Sequence, residues 1–301
     1  MKMYLIVSCI LILLQVTFAG PFFVAGFLGQ MNFGKWTQGW GFGNTHIWAG
    51  GTIAWMLSII LTRYTLSHKE KLSISTECFY LCSMGLGAVG LFYTLNRGAW
   101  VGMFLAMLVL AWVFSRSDYP LRSLFKGLAV MFIFVSVCRL VIHPDVYKMR
   151  EKMSFLQNVA THRRDMLADD AATLTRFKAW GVAFDGIREN PFWGLGVGQF
   201  PKYYEKTFPG LFQGLAADKF DPNAKQIPHN SYLYYASEMG MLPAGFLFLF
   251  ISMVLVSGFR SGVTAAVFPF FIGGVVICVW VLTCDYIIER IFWIALGSVA
   301  G

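Results

Sequence analysis

The sequence predicts an all-α, polytopic transmembrane helical bundle of about eight spans, with one large external loop. Three observations predict it. Of 301 residues, 57% are hydrophobic and only 13% charged, about half the charged share of a soluble domain. Mean hydropathy is +0.60. The apolar residues fall in runs close to the roughly 20 that carry a helix across a bilayer core. This composition excludes an ordinary soluble globule and any long disordered segment. The 24 Lys+Arg exceed the 16 Asp+Glu by 8. In a soluble protein that excess would suggest nucleic acid, so its position along the chain matters.

The runs are 4–28, 47–66, 74–95, 98–114, 123–142, 231–257, 263–284 and 286–301. The first has two readings. It is a retained helix, preferred because apolar sequence continues to Leu28, or a signal peptide with Lys2, an apolar stretch to Val16 and a Thr17/Ala19 cleavage site. Lys2, Arg63, Lys69, Lys71, Arg116, Arg122, Lys126 and Arg260 fall on one face, against Lys35, Arg97, Arg139 and Arg290 on the other. The positive-inside rule makes the richer face cytoplasmic. Both chain ends are then inside, and the loops 29–46 and 143–228 are outside. Residues 143–228 hold 12 Lys+Arg and 10 Asp+Glu, close to balance. The excess charge thus marks topology, and no nucleic-acid partner is expected. Residues 1–301 read as a single membrane domain, without repeats, with 143–228 inserted between the fifth and sixth spans. The six cysteines form no CxxC pair and read as small hydrophobes.

Within the large loop, Phe177, Trp180, Phe184 and Ile187 share one face of an amphipathic helix. It lies on the membrane surface or on the tops of the spans. Thr175 is its expected N-cap, Arg176 opens it, and Asn190-Pro191 ends it. Gly194-Leu195-Gly196-Val197-Gly198 follows as a tight turn. A nucleotide site is disfavoured there, because the glycines follow a helix rather than a strand.

Pro228-His229-Asn230-Ser231-Tyr232 opens the sixth span. A neutral imidazole there can accept a proton, as a general base does. The alternative is an interfacial histidine that caps the helix. Arg97, read as ending the third span in Asn96-Arg97-Gly98-Ala99-Trp100, either snorkels at the interface or holds a phosphate bidentately. Gly98-Ala99 permits close approach of a ligand. Glu238 lies nine residues beyond His229 on the sixth span, as an intramembrane functional acid or a helix–helix hydrogen bond. Asp169-Asp170 reads as a solvated first turn rather than a metal site. Asp285, Glu289 and Arg290 read as pairing with one another. The loop 29–46 has no Asp or Glu, which argues against a metal-dependent lipid-linked sugar transferase.

These residues resemble the bacterial O-antigen ligase and O-antigen polymerase superfamily. Asn96-Arg97-Gly98-Ala99-Trp100 is similar to its SRGAW motif, with Asn for Ser. Gly41-Phe42-Gly43-Asn44-Thr45 is similar to its G-x-F-x-N-P-N element, with Thr for Pro. Arg176 through Trp180, Pro191 and Gly194–Gly198 resemble its R-x-x-x-W…P-x-x-G-x-G loop. His229-Asn230 through Glu238-Met239-Gly240 resembles its HN-x-x-L…E-x-G element. Four elements in order, around a large outer loop, cover roughly residues 20–300. The resemblance implies a helical membrane glycosyltransferase in the bacterial inner membrane, with the large loop periplasmic. It would move a glycan from undecaprenyl pyrophosphate to an acceptor hydroxyl. The acceptor is a lipid A–core sugar in a ligase, another glycan in a polymerase, or a protein. By motif, His229 is the general base, and Arg97 and Arg176 hold the donor pyrophosphate. Asn96, Trp180, Asn230 and Glu238 support them. No metal and no cofactor is implied; membrane lipids are the remaining partner.

Family members carry several spans before the Gly41-type element, where one precedes it here. Three readings stay open: a short homologue, a truncated product, or part of a split enzyme whose second membrane subunit supplies the amino-terminal helices. Two rivals of other classes remain. A lipid-linked glycan transporter would want broken helices and a repeat; a non-catalytic subunit would not need Arg97, Arg176 and His229.

Overall fold

The computed structural model describes residues 46–68, 72–94, 96–117, 119, 121–141, 171–207, 228–262, 266–284 and 290–300. The expected first span, Gly41–Thr45, Asp169-Asp170, Asp285 and Glu289 lie outside them. Among the described residues the chain is all-helical, with no strand. The α-helices are α1 (His46–Ser67), α2 (Ile74–Tyr93), α3 (Arg97–Ser115), α4 (Leu121–Val141), α5 (Ala171–Glu189), α6 (Phe200–Thr207), α7 (Ser231–Met239), α8 (Met241–Arg260), α9 (Phe268–Trp280) and α10 (Arg290–Ala300).

Four are long and apolar enough to cross a membrane: α2 over Ile74–Phe92, α3, α4 over Leu121–Cys138, and α8. α1 has the length, at 22 residues, but carries buried Thr52, Ser58, Thr62 and Thr65. Such hydroxyls are tolerated where they return to their own helix. Ser58 donates to the Trp55 carbonyl (2.7 Å), Thr62 to that of Ser58 (2.7 Å) and Thr65 to that of Leu61 (2.9 Å). α9 and its 3₁₀ extension form a shorter apolar helix, Phe268–Thr283.

The chain divides into two compact units. One comprises Met1–Lys152, Val254–Trp280 and Arg290–Gly301; the other comprises Met153–Met253 and Val281–Glu289. In the first unit α1 is central, packed on α2, α3, α4 and α9. Small residues set the helix spacings in this unit, as they do where helices meet without a hydrophobic driving force. Gly51 lies against the Trp280 ring, and Gly102 against the Val276 carbonyl. The first unit also has a charge polarity. Lys126 pairs with Glu77 (2.6 Å), which also accepts from Tyr64 (3.0 Å). Arg116 lies over Trp112, which stacks on Phe259 next to Arg260. Arg63, Arg116, Arg122, Lys126 and Arg260 therefore gather at one end. Arg97 is at the other, roughly 28 Å away along the 19 residues of α3.

In the second unit α5 packs on α6 and α7. Its packed face is not the large-aromatic stripe. Ala179, Val182 and Ala183 are buried with Phe200 and Tyr204, whereas Phe177 and Phe184 are exposed. The small residues share a helical face of their own at i, i+3 and i+4, and they admit the α6 aromatics.

Candidate functional site

Arg97 does not end the third span; it is the first residue of α3. Thr94 stops α2: its hydroxyl donates to the Leu91 carbonyl (2.7 Å) and accepts from the Asn96 N–H (3.3 Å). Asn96, buried and extended, then caps α3 by accepting from the Ala99 N–H (3.2 Å). Trp100 returns its indole N–H to Leu91 (3.0 Å) and stacks on Phe92. Gly50 of α1 lies directly against Asn96 and Thr94. A compact α2–α3 corner thus carries the Arg97 guanidinium at a helix start, where the backbone itself favours anions.

His229 is held by its neighbours on both sides. The Trp180 indole N–H donates to the Pro228 carbonyl (2.7 Å). Asn230 is the N-cap of α7 and accepts from the Leu233 N–H (3.1 Å). Ser231, fully buried, donates to the Cys284 carbonyl (2.7 Å). Capping therefore belongs to Asn230, and the alternative of a capping histidine is set aside. His229 adopts φ 53°, the only positive value at a non-glycine residue among those described. Such backbone costs about 1–3 kcal/mol and persists only where the surroundings over-determine it.

Arg176 lies on α5, one turn before Trp180, so both belong to the same helix side. Thr175 is not the N-cap. The helix starts at Ala171, because the Ala171-Ala172 pair extends it readily, and this places Arg176 in the second turn.

Glu238 is not on a membrane-length helix. The expected span 231–257 breaks at Gly240 (φ 84°), leaving Glu238 on short α7 ahead of α8. It is 4% exposed. Its carboxylate accepts from the N–H groups of Gly198 (2.8 Å) and Phe200 (3.1 Å) at the start of α6. The carbonyls of Ser237 and Glu238 accept from Leu195 (2.8 Å) and Gly196 (2.9 Å). The glycine turn is thus laced to the end of α7. With Trp180 at the other end, α5 and α7 are tied together at two places. Nearby, burial and then the Glu189 carboxylate push the Tyr203 phenol up to about 12.

Within the second unit, then, Arg176, Trp180, His229, Asn230 and Glu238 share one frame, and Arg97 and Asn96 form a separate corner in the first. Ser231, Gly240 and the Pro228 carbonyl were missed in the sequence. Ser231 and Gly240 carried a signal, the first as the residue next to a helix cap and the second as the glycine of the E-x-G element; the Pro228 carbonyl carried none.

A family model described as O-antigen ligase matches residues 82–249, more than half of the chain. The match takes in the Asn96–Trp100, Arg176–Gly198 and His229–Gly240 segments. No curated protein matches the chain.

Proposed function

The chain belongs to the O-antigen ligase family, and on that premise we propose that it transfers a glycan from undecaprenyl pyrophosphate to an acceptor hydroxyl at a bilayer surface. The acceptor in this reading is a sugar of lipid A–core. The acceptor oxygen attacks the anomeric carbon, and the bond from that carbon to the pyrophosphate oxygen breaks. His229 takes the hydroxyl proton. The lipid pyrophosphate leaves as an anion held by Arg97 and Arg176. Stabilising that charge is the main task, and fixed cationic donors in a low-dielectric setting do it well. The reading needs no metal and no cofactor.

The observation that carries it is the setting of His229. A strained backbone, held by Trp180, Asn230 and Ser231, is how a fold fixes one side chain for a task. The clustered basic end of the first unit supports an orientation in which Arg97 faces the periplasm of a bacterial inner membrane.

The test is reconstitution with an undecaprenyl-pyrophosphate glycan and three acceptors in parallel: lipid A–core, a second glycan, and a protein. Product is read by mass. Wild type is expected to extend lipid A–core. Arg97→Ala, Arg176→Ala and His229→Ala are each expected to lose on the order of 10²–10³ in rate. Three variants that match wild type would overturn the site. Product only on another glycan or on protein would move the acceptor to that class.

A further inference from the structure

We propose that the turn Pro191–Gly198 is a membrane-interfacial wedge whose partner is the phospholipid surface. Phe192 is 67% exposed, and Trp193 and Val197 are each 77% exposed. Clustered apolar exposure of this kind on a non-spanning segment marks an interaction site. From Pro191 to Pro201 no residue is charged, while Arg188, Glu189 and Lys202 stand just outside, all exposed. An apolar centre with charge only at its edges matches the order of acyl chain, interface and headgroup.

Two further observations bear on the partner, the first against protein and the second against water. The first is position. The Met241 N–H donates to the Pro191 carbonyl (2.8 Å), and Gly240 lies directly against Phe192 and Trp193. The turn is therefore fixed at the first residue of α8, a membrane-length helix. Exposed Met241, Leu242 and Phe246 continue its apolar surface down that helix. Aromatic residues at the mouth of a span favour the interface, tryptophan above all.

The second is the backbone. A turn in water can leave its N–H groups to solvent, whereas one at the hydrocarbon boundary must satisfy them within the protein. Of the nine N–H groups from Phe192 to Phe200, six donate within the protein, all from Gly194 onward. Gly194 bonds Asn190, Leu195 bonds Ser237, Gly196 bonds the Glu238 carbonyl, and Gln199 bonds Gly196. Gly198 and Phe200 bond the Glu238 carboxylate. Glu238 thus satisfies backbone at the glycine end of the turn.

The test reads fluorescence from the full chain in phosphatidylcholine vesicles. Subtracting the emission of Trp193→Phe from that of wild type isolates Trp193. Its emission is expected to be blue-shifted from that of tryptophan in water. It should lose most of its intensity when the acyl chains are brominated, and be unchanged by aqueous iodide. Moving the probe with Val197→Trp on the Trp193→Phe background should give the same pattern. Quenching by iodide and not by bromolipid would overturn the wedge, placing the turn in water. Resistance to both would also overturn it, leaving protein, including a second copy, as the cover. No glycan transfer is read, so failure here is distinct from failure of the transferase reading.

Discussion

Asn96 stands where the family motif has serine, and the geometry accounts for the exchange. Asn and Ser are comparable N-caps, and either to Ala costs about 1 kcal/mol. Asn96 spends its side-chain oxygen on the Ala99 N–H, so Asn96→Ser should leave thermal stability in detergent within a few tenths of a kcal/mol. Asn96→Ala should lower it by about 1 kcal/mol, and Asn230→Ala by a similar amount for the same reason at α7. At this scale the sequence was legible where chemistry is local. Arg97 and His229 stood out by residue type on a face poor in charge, and Asn96 by its place in the motif. The left-handed backbone of His229 was not legible, because nothing short of tertiary contact forces a histidine there.

Helix boundaries show the same division. Apolar length alone located α2, α3 and α4 to within two residues, because each is a continuous run in one environment. It joined α7 to α8, because hydropathy does not register a break at a single glycine. A side chain on Gly240 would strike the Phe192 carbonyl as well as strain a φ of 84°. Gly198 has a similar φ of 76° and nothing within 4 Å of a new methyl group. Gly198→Ala should therefore cost only the left-handed penalty, about 1–2 kcal/mol, with the fold intact by circular dichroism. Gly240→Ala should cost clearly more and reduce the yield of folded chain. Equal effects would mean that the close approach to Phe192 is unimportant. The packed face of α5 was misjudged for a related reason. Large aromatics dominate any pattern read from sequence, yet Ala179, Val182 and Ala183 are what α6 and α7 can approach.

For the whole molecule, orientation rests on basic residues, and the described structure gathers five of them at the end of the first unit opposite Arg97. Reporter insertions test this. A phosphatase that folds only outside the cytoplasm should be active when inserted at 208–227 and inactive when placed after Arg260; the reverse pattern would invert the protein and remove its outward-facing arginine. Among the described residues four helices have membrane length and apolarity; the expected first span lies outside them, and α1, though long enough, keeps four hydroxyls inside its bundle. One feature of the second unit also bears on motion. Three glycines in five residues ordinarily mean a supple loop with amides that exchange quickly. Here the Gly198 and Phe200 amides are tied to a carboxylate on another helix. They can release deuterium only when α7 itself opens. In hydrogen exchange the turn should therefore behave as a slow island, protected to the same degree as α7.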